Sequence, residues 1–110
     1  MKSYCNLYVS DDLIPEKEDI LKKIHEGTER RHYSVALLPV EGKAQLELID
    51  TKFLRQSYYH KQEMLIVGIL SRYEDALKFV EDLTQTVYEE TGTANVRAYI
   101  LAKQKEFEER

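Results

Sequence analysis

The sequence predicts a single α+β domain in which two strand–helix–strand units share one sheet. In the second unit, an apolar run at residues 64–70 is followed by apolar side chains at helical spacing, with a stop at Gly92. In the first unit, residues 4–9 alternate between two sets of side chains, as a strand with two different faces does. The chain has 110 residues and is 43% hydrophobic, which is enough to fill one core.

The first unit starts with the strand at residues 4–9, and a helix follows it. The polar residues 10–12 offer N-cap chemistry, and Pro15 suits a first helical turn. The helical spacing of apolar residues continues to about Glu26, and Gly27 supplies the stop. The next apolar stretch, residues 33–40, predicts the second strand of this unit.

An excursion of about twenty residues then separates the second strand from the next unit. Residues 41–43, Glu-Gly-Lys, are typical of a hairpin turn and lead into an extra strand at residues 44–49. Residues 52–59 predict a short helix, although their tyrosines are equally acceptable in extended chain. Both interpretations of that last segment stay open.

The second unit contains the strand at residues 64–70, a long helix and a final strand. Ser71 and Glu74 have the spacing of a capping box, which predicts that this helix begins there. The apolar residues 96–101 predict the final strand. Without the excursion the order is βαββαβ, that of a ferredoxin-like sandwich. Residues 1–102 are predicted to form this one domain and residues 103–110 a charged C-terminal tail.

Composition argues against several classes of function. The net charge of -4 does not favour nucleic-acid binding, and the central strand lacks the aromatic residues on which RNA bases stack. The three histidines are scattered and the four glycines have no phosphate-loop spacing, so neither a metal nor a cofactor is predicted. One cysteine, no membrane-length apolar run and no signal-peptide pattern lead us to expect a cytoplasmic protein.

The predicted sheet has one open face, because both helices of this fold cover the same side. That face and the excursion hold the candidate ligand or interface residues: Tyr4, Asn6, Tyr8, Tyr58, Tyr59, His60, Arg97 and Tyr99. Exposed faces rich in tyrosine are typical of interfaces, which favours a homo-oligomer, a dimer or trimer, with sheets packed face to face. A small-ligand pocket between subunits, or coverage by the excursion or the tail, are the other interpretations.

The alternative function is a small enzyme with a pocket on the tyrosine face, in which His60, Tyr58 or Arg97 would converge as acid–base or anion-binding groups. His60 lies beside Tyr58 and Tyr59 in the sequence, so it is a possible general acid or base with a tyrosine partner. No motif places a nucleophile or a second base next to it, and no catalytic residue is assigned. We therefore expect a non-enzymatic binding or regulatory module that self-associates and meets a small ligand or a protein partner.

Five segments carry a resemblance to known sequences: residues 58–62, 66–69, 73–77, 91–92 and 96–99. Together they resemble a group of small uncharacterised proteins of Gram-positive anaerobes, which implies a bacterial origin and no particular activity.

The layout is also similar to that of PII-type signalling proteins, in length, in the long excursion and in Thr91-Gly92 after the second helix. In that family the excursion binds partner proteins, and a loop rich in glycine and lysine after the second helix binds nucleotide phosphate. Residues 91–96 lack the further glycines and the lysine, so no site residue is carried over. The resemblance leaves a PII-like small-ligand sensor as a further alternative.

Overall fold

The chain forms four strands and four α-helices in a computed structural model that describes residues 1–55 and 57–110, without the side chains of residues 55–58. The elements are β1 (Lys2–Val9), a 3₁₀ turn (Asp11–Glu16), α1 (Lys17–Glu26), β2 (Ser34–Pro39), β3 (Glu47–Asp50), a second 3₁₀ turn (Thr51–Arg55), α2 (Ser57–Lys61), β4 (Met64–Leu70), α3 (Tyr73–Thr91) and α4 (Val96–Glu108). The predicted helix in residues 52–59 therefore corresponds to the second 3₁₀ turn and α2, and Gln56 lies outside the described residues.

The four strands form one mixed sheet in the order β1-β4-β2-β3. β1 runs parallel to β4, whereas β2 is antiparallel to both of its neighbours, β4 and β3. The predicted α+β class and the extra strand after β2 are confirmed. The ferredoxin-like βαββαβ order is not confirmed, because the described strands have the order β1-β4-β2-β3 and the last predicted strand is a helix.

Helices cover both faces of the sheet, because its two central strands are apolar on both sides. Every residue of β2 and β4 is buried. On one face, Ile20 and Ile24 of α1 pack with Leu37 of β2. On the other face, Val87 of α3 and Ile100 of α4 pack with the side chains of β2 and β4 that point to that face. The open face predicted from the sequence is thus a filled core, with α1 on one side and α3 and α4 on the other.

The two long predicted helices are confirmed together with their stops. α1 is preceded by a 3₁₀ turn that contains Pro15, and it ends at Gly27 with φ of 73°. α3 ends at Gly92, whose φ is 77°. Glycine is favoured at both positions because it enters the left-handed region without the clash that a Cβ atom brings. Within the described residues, no helix combines the length and apolarity needed to cross a bilayer.

The prediction of a strand at residues 96–101 is wrong, because these residues open helix α4. The Asn95 side chain accepts a hydrogen bond from the Ala98 amide at 3.1 Å, which caps the helix. The buried residues Val96, Ile100 and Gln104 then recur every four positions. Residues 103–108, assigned from the sequence to a charged tail, form the second half of the same helix.

An irregularity in β1 changes which of its side chains are buried. Between Ser3 and Tyr8 the register against β4 shifts. The predicted alternation of exposure holds from Cys5 to Val9, but Tyr4 departs from it. Tyr4 is 5% exposed in the core beneath α4, instead of lying on an open face. The Cys5 amide donates to Oε1 of Gln104 at 2.8 Å, so α4 satisfies backbone that the sheet leaves unpaired.

Candidate ligand-binding cleft

A crevice lies at the carboxyl ends of the parallel strands β1 and β4. The chain leaves β1 toward α1 on one face of the sheet, and it leaves β4 toward α3 on the opposite face. Where neighbouring parallel strands diverge in this way, the loops separate and open a crevice that ligands commonly occupy in α/β sheets. This fold has one such switch point among its described strands, between β1 and β4.

Hydrogen bonds join the two loops at the base of this crevice. The Ser10 amide donates to the Ile69 carbonyl at 2.9 Å, and the Ser71 amide donates to the Ser10 hydroxyl at 3.0 Å. The Ser71 hydroxyl donates to the Asp12 carboxylate. The capping box predicted for Ser71 and Glu74 is therefore wrong: no side chain caps α3, because the Ser71 hydroxyl is used by the other loop.

The crevice widens into a cleft of about 510 Å³ between β1 and α3. Its apolar wall is a stacked pair of rings, Tyr8 and Phe79, with centroids 5.1 Å apart and planes inclined by 21°. Tyr8 is 48% exposed, so much of this aromatic surface faces solvent. Gly68 makes room for the stack, since a Cβ atom there would lie 3.0 Å from Cε2 of Phe79.

Charged side chains form the rim of the cleft, and its polar lining residues are Ser10, Asp11, Asp12, Asp75, Lys78, Asp82 and Thr86. Lys78 Nζ lies 2.9 Å from the carboxylate of Asp82, and Arg72 Nε lies 3.4 Å from that of Asp75. The rim carries four carboxylates and one ammonium group, so the cleft is electronegative. In the described part of the chain, no three His, Cys, Asp or Glu side chains converge to hold a metal ion.

Of the predicted residues whose side chains the structure describes, Tyr8 lines the cleft and the others lie elsewhere. Burial raises the pKa of Tyr4, which packs in the core. Asn6 is exposed on β1. Tyr99 is on α4, where a hydrogen bond with Glu90 raises its pKa to about 12. None of these three side chains lines the cleft.

The Arg97 guanidinium is used in hydrogen bonds to backbone carbonyl groups. Its guanidinium donates to the carbonyl oxygens of Pro39 and Val40 at 2.5 Å each, and to that of Ala44 at 3.1 Å. Its backbone amide donates to Oε1 of Gln45 at 3.0 Å. Arg97 therefore ties the start of α4 to the connection between β2 and β3, and its donors are directed at backbone.

The predicted tyrosine and histidine cluster lies on the side of the sheet that α1 covers. Nε2 of His60 is 2.6 Å from the Leu54 carbonyl oxygen, and the His60 ring is exposed. Tyr59 packs against the core beneath α1. The Tyr58 side chain lies outside the described residues. His60 and Arg97 thus approach different carbonyl groups and do not converge on the cleft with Tyr8, as the enzyme alternative required.

The cleft residues missed from the sequence include Asp11, Asp12, Asp75, Lys78 and Phe79. A signal existed for Asp11 and Asp12, because polar residues immediately follow the strands β1 and β4. It becomes interpretable once these two strands are known to be parallel neighbours, since their carboxyl ends then lie together.

Comparisons of the chain with protein-family models, with curated proteins and with solved structures found no match.

Proposed function

We propose that this protein is a non-enzymatic binding module that holds a small organic ligand in the cleft between β1 and α3. The observation that carries the proposal is the position of a cleft of about 510 Å³ at the switch point between two parallel strands. Small-ligand sites commonly have volumes of roughly 300–1,000 Å³, with apolar walls and a few convergent polar groups. The apolar wall is the ring pair of Tyr8 and Phe79. The polar groups are those of the two loops joined by Ser10 and Ser71.

The charge of the rim argues for ligands without phosphate. Asp75 lies in the first turn of α3, and the nearby Asp12 accepts a hydrogen bond from Ser71. The start of a helix normally attracts anions such as phosphate. Here two carboxylates already lie at the start of α3, so they would repel a phosphate group. A nucleotide sensor of the PII type is therefore the less supported form of the binding hypothesis.

A fragment screen followed by amide chemical shifts tests the proposal. We expect the hits to shift the amides of Ser10, Asp11 and Ser71, at the junction of the two loops. Thr86→Trp fills the cleft from one wall and should weaken these hits at least tenfold. Gln85→Trp is the matched control, because Gln85 is the exposed neighbour on α3 and does not line the cleft. Hits that map elsewhere, hits that both variants weaken equally, or no hits at all would refute the proposal.

Self-association is a second candidate function, favoured by an exposed apolar stripe on α3. Tyr73, Leu77 and Tyr88 are 59%, 48% and 57% exposed and recur at helical spacing along one side of α3. The sheet face expected to mediate a dimer or trimer is covered, so this stripe is the surface that a second copy would bury. The stripe is roughly 22 Å long at 1.5 Å per residue. Its three half-exposed side chains offer far less area than the roughly 800 Å² that each partner of a stable complex buries.

We therefore propose a weak, concentration-dependent dimer through the α3 stripe. Sedimentation equilibrium from micromolar to millimolar concentrations measures it. Leu77→Glu should shift the protein toward monomer, whereas Gln85→Glu, off the stripe on the same helix, should not. A strict monomer at millimolar concentration would contradict this second candidate.

A further inference from the structure

The charges around the cleft are unequally compensated. Lys78 pairs with Asp82 at 2.9 Å, and Arg72 pairs with Asp75 at 3.4 Å. Asp12 accepts a hydrogen bond from the Ser71 hydroxyl, and its negative charge also contributes to the raised pKa of Arg72. Among the described residues, neither Asp11 nor Asp12 lies within ion-pair distance of a cation, so these two carboxylates of the first loop are the less compensated ones at the cleft.

A cleft with this lining suits an organic cation better than a metal ion. Hard cations such as Mg²⁺ and Ca²⁺ take about six or more oxygen ligands in a shell around the ion. Here the carboxylates share the lining with the aromatic and aliphatic side chains of Tyr8, Leu70, Phe79 and Leu83. Within the described residues, no group of three acidic or histidine side chains converges as a metal site requires.

The aromatic wall adds a second attraction for the same ligand class. Tyr8 is stacked on Phe79 yet remains 48% exposed, so a broad ring surface is available to a ligand. Ring faces attract ammonium and guanidinium groups through the electrostatic field of the ring. They also provide apolar area for the body of a ligand to bury.

We infer that the cleft selects a small organic cation, an ammonium or guanidinium group carried on an aromatic or aliphatic body. The body packs against Tyr8 and Phe79, and the charged head faces Asp11 and Asp12. This inference rests on the proposed function, and it adds the chemical class of the ligand.

Three compounds of matched shape test the class of ligand: phenethylamine, phenethyl alcohol and 3-phenylpropionate. Titrations followed by amide chemical shifts should show phenethylamine binding at the Ser10 to Asp12 loop at least tenfold more tightly than the alcohol. The propionate should bind most weakly. Raising the salt concentration should weaken the amine and leave the alcohol unchanged, because only the amine is attracted by charge.

A double variant, Asp11→Asn with Asp12→Asn, removes the two less compensated charges and keeps an oxygen that accepts from Ser71. We expect it to lower the affinity for phenethylamine at least tenfold and to leave phenethyl alcohol unaffected. Glu106→Gln with Glu109→Gln is the control, because it removes two exposed charges from the distant end of the chain. That control should change neither affinity.

The possible results distinguish a failure of the cation inference from a failure of the proposed function. If phenethylamine binds no better than the alcohol or the propionate, or if the asparagine variant binds it unchanged, the cation inference is overturned. The proposed function survives that result when fragments of another charge still bind the cleft and are weakened by Thr86→Trp alone. A fragment screen without any cleft hit overturns both.

Discussion

Glu29 is a buried carboxylate whose charge we expect to stabilise the fold strongly above pH 4.5. The side chain is 3% exposed. It accepts hydrogen bonds from the amides of Arg30 and Arg31 at 3.0 and 2.9 Å, and both of its oxygens are 3.0 Å from the Arg31 guanidinium. Burial raises the pKa of Glu29, but these hydrogen bonds more than reverse that effect and lower the pKa from 4.5 to about 2.

The lowered pKa sets both the size and the pH window of the effect. A fall from 4.5 to about 2 corresponds to about 3 kcal/mol of folding free energy. Because the pKa is lower in the folded protein than in the unfolded chain, this stability is fully present above pH 4.5. It is lost as the pH falls toward 2, and about 1.4 kcal/mol remains at pH 3.

Urea unfolding of the wild type and of Glu29→Gln measures this effect, since urea adds no ionic strength. The variant should be less stable by about 3 kcal/mol at pH 7, with the difference shrinking between pH 4.5 and 2. Glu16→Gln is the matched control, because Glu16 lies 3.0 Å from the same Arg31 but its side chain is 55% exposed. It should cost less than about 1 kcal/mol. A Glu29→Gln difference that stays constant from pH 7 to pH 2 would refute the reasoning.

Three further substitutions are expected to destabilise the protein in urea unfolding. Gln104→Leu removes the acceptor of the Cys5 amide and should cost about 1–3 kcal/mol; stability within about 0.5 kcal/mol of wild type would show that water replaces the side chain. Arg97→Met removes donors to three carbonyl groups and should lower the free energy of unfolding by about 2–3 kcal/mol, and Arg97→Lys should recover part of that loss. Equal losses in the two variants would contradict a stabilising role of these hydrogen bonds. Gly68→Ala places a methyl group 3.0 Å from the Phe79 ring. It should lower the free energy of unfolding by about 1–3 kcal/mol and alter the near-UV circular dichroism spectrum. An unchanged spectrum would contradict that contact.

The elements that could be predicted from the sequence are those whose signals are local. β2 and β4 are continuous apolar runs, and the helices α1 and α3 show the 3.6-residue spacing with a glycine stop. The prediction for residues 96–101 was wrong because its five apolar or aromatic residues, together with Arg97, fit a strand as well as a helix. The helix formers that follow them, and Asn95 before them, were the signals that decide for α4.

The site was harder to predict, because it depends on strand order. Tyr8 was identified as a candidate for the wrong reason, an open face that α3 and α4 in fact cover. Asp11 and Ser71 are 60 positions apart in the numbering, and no local pattern indicates that their loops meet. Only the parallel pairing of β1 with β4 brings them together, and that pairing is a property of the whole fold.

The bond between Ser71 and Ser10 joins residues 61 positions apart, and this separation has a kinetic consequence. Closing so long a loop costs conformational entropy before the contacts between the strands can offset that cost. We therefore expect the parallel pairing of β1 with β4 to form late in folding. The hairpin of β2 and β3, together with α3, can form from neighbouring residues before that step. The cleft therefore exists only in the completely folded chain. A ligand of the proposed kind would bind that state alone and would slow the release of the first strand.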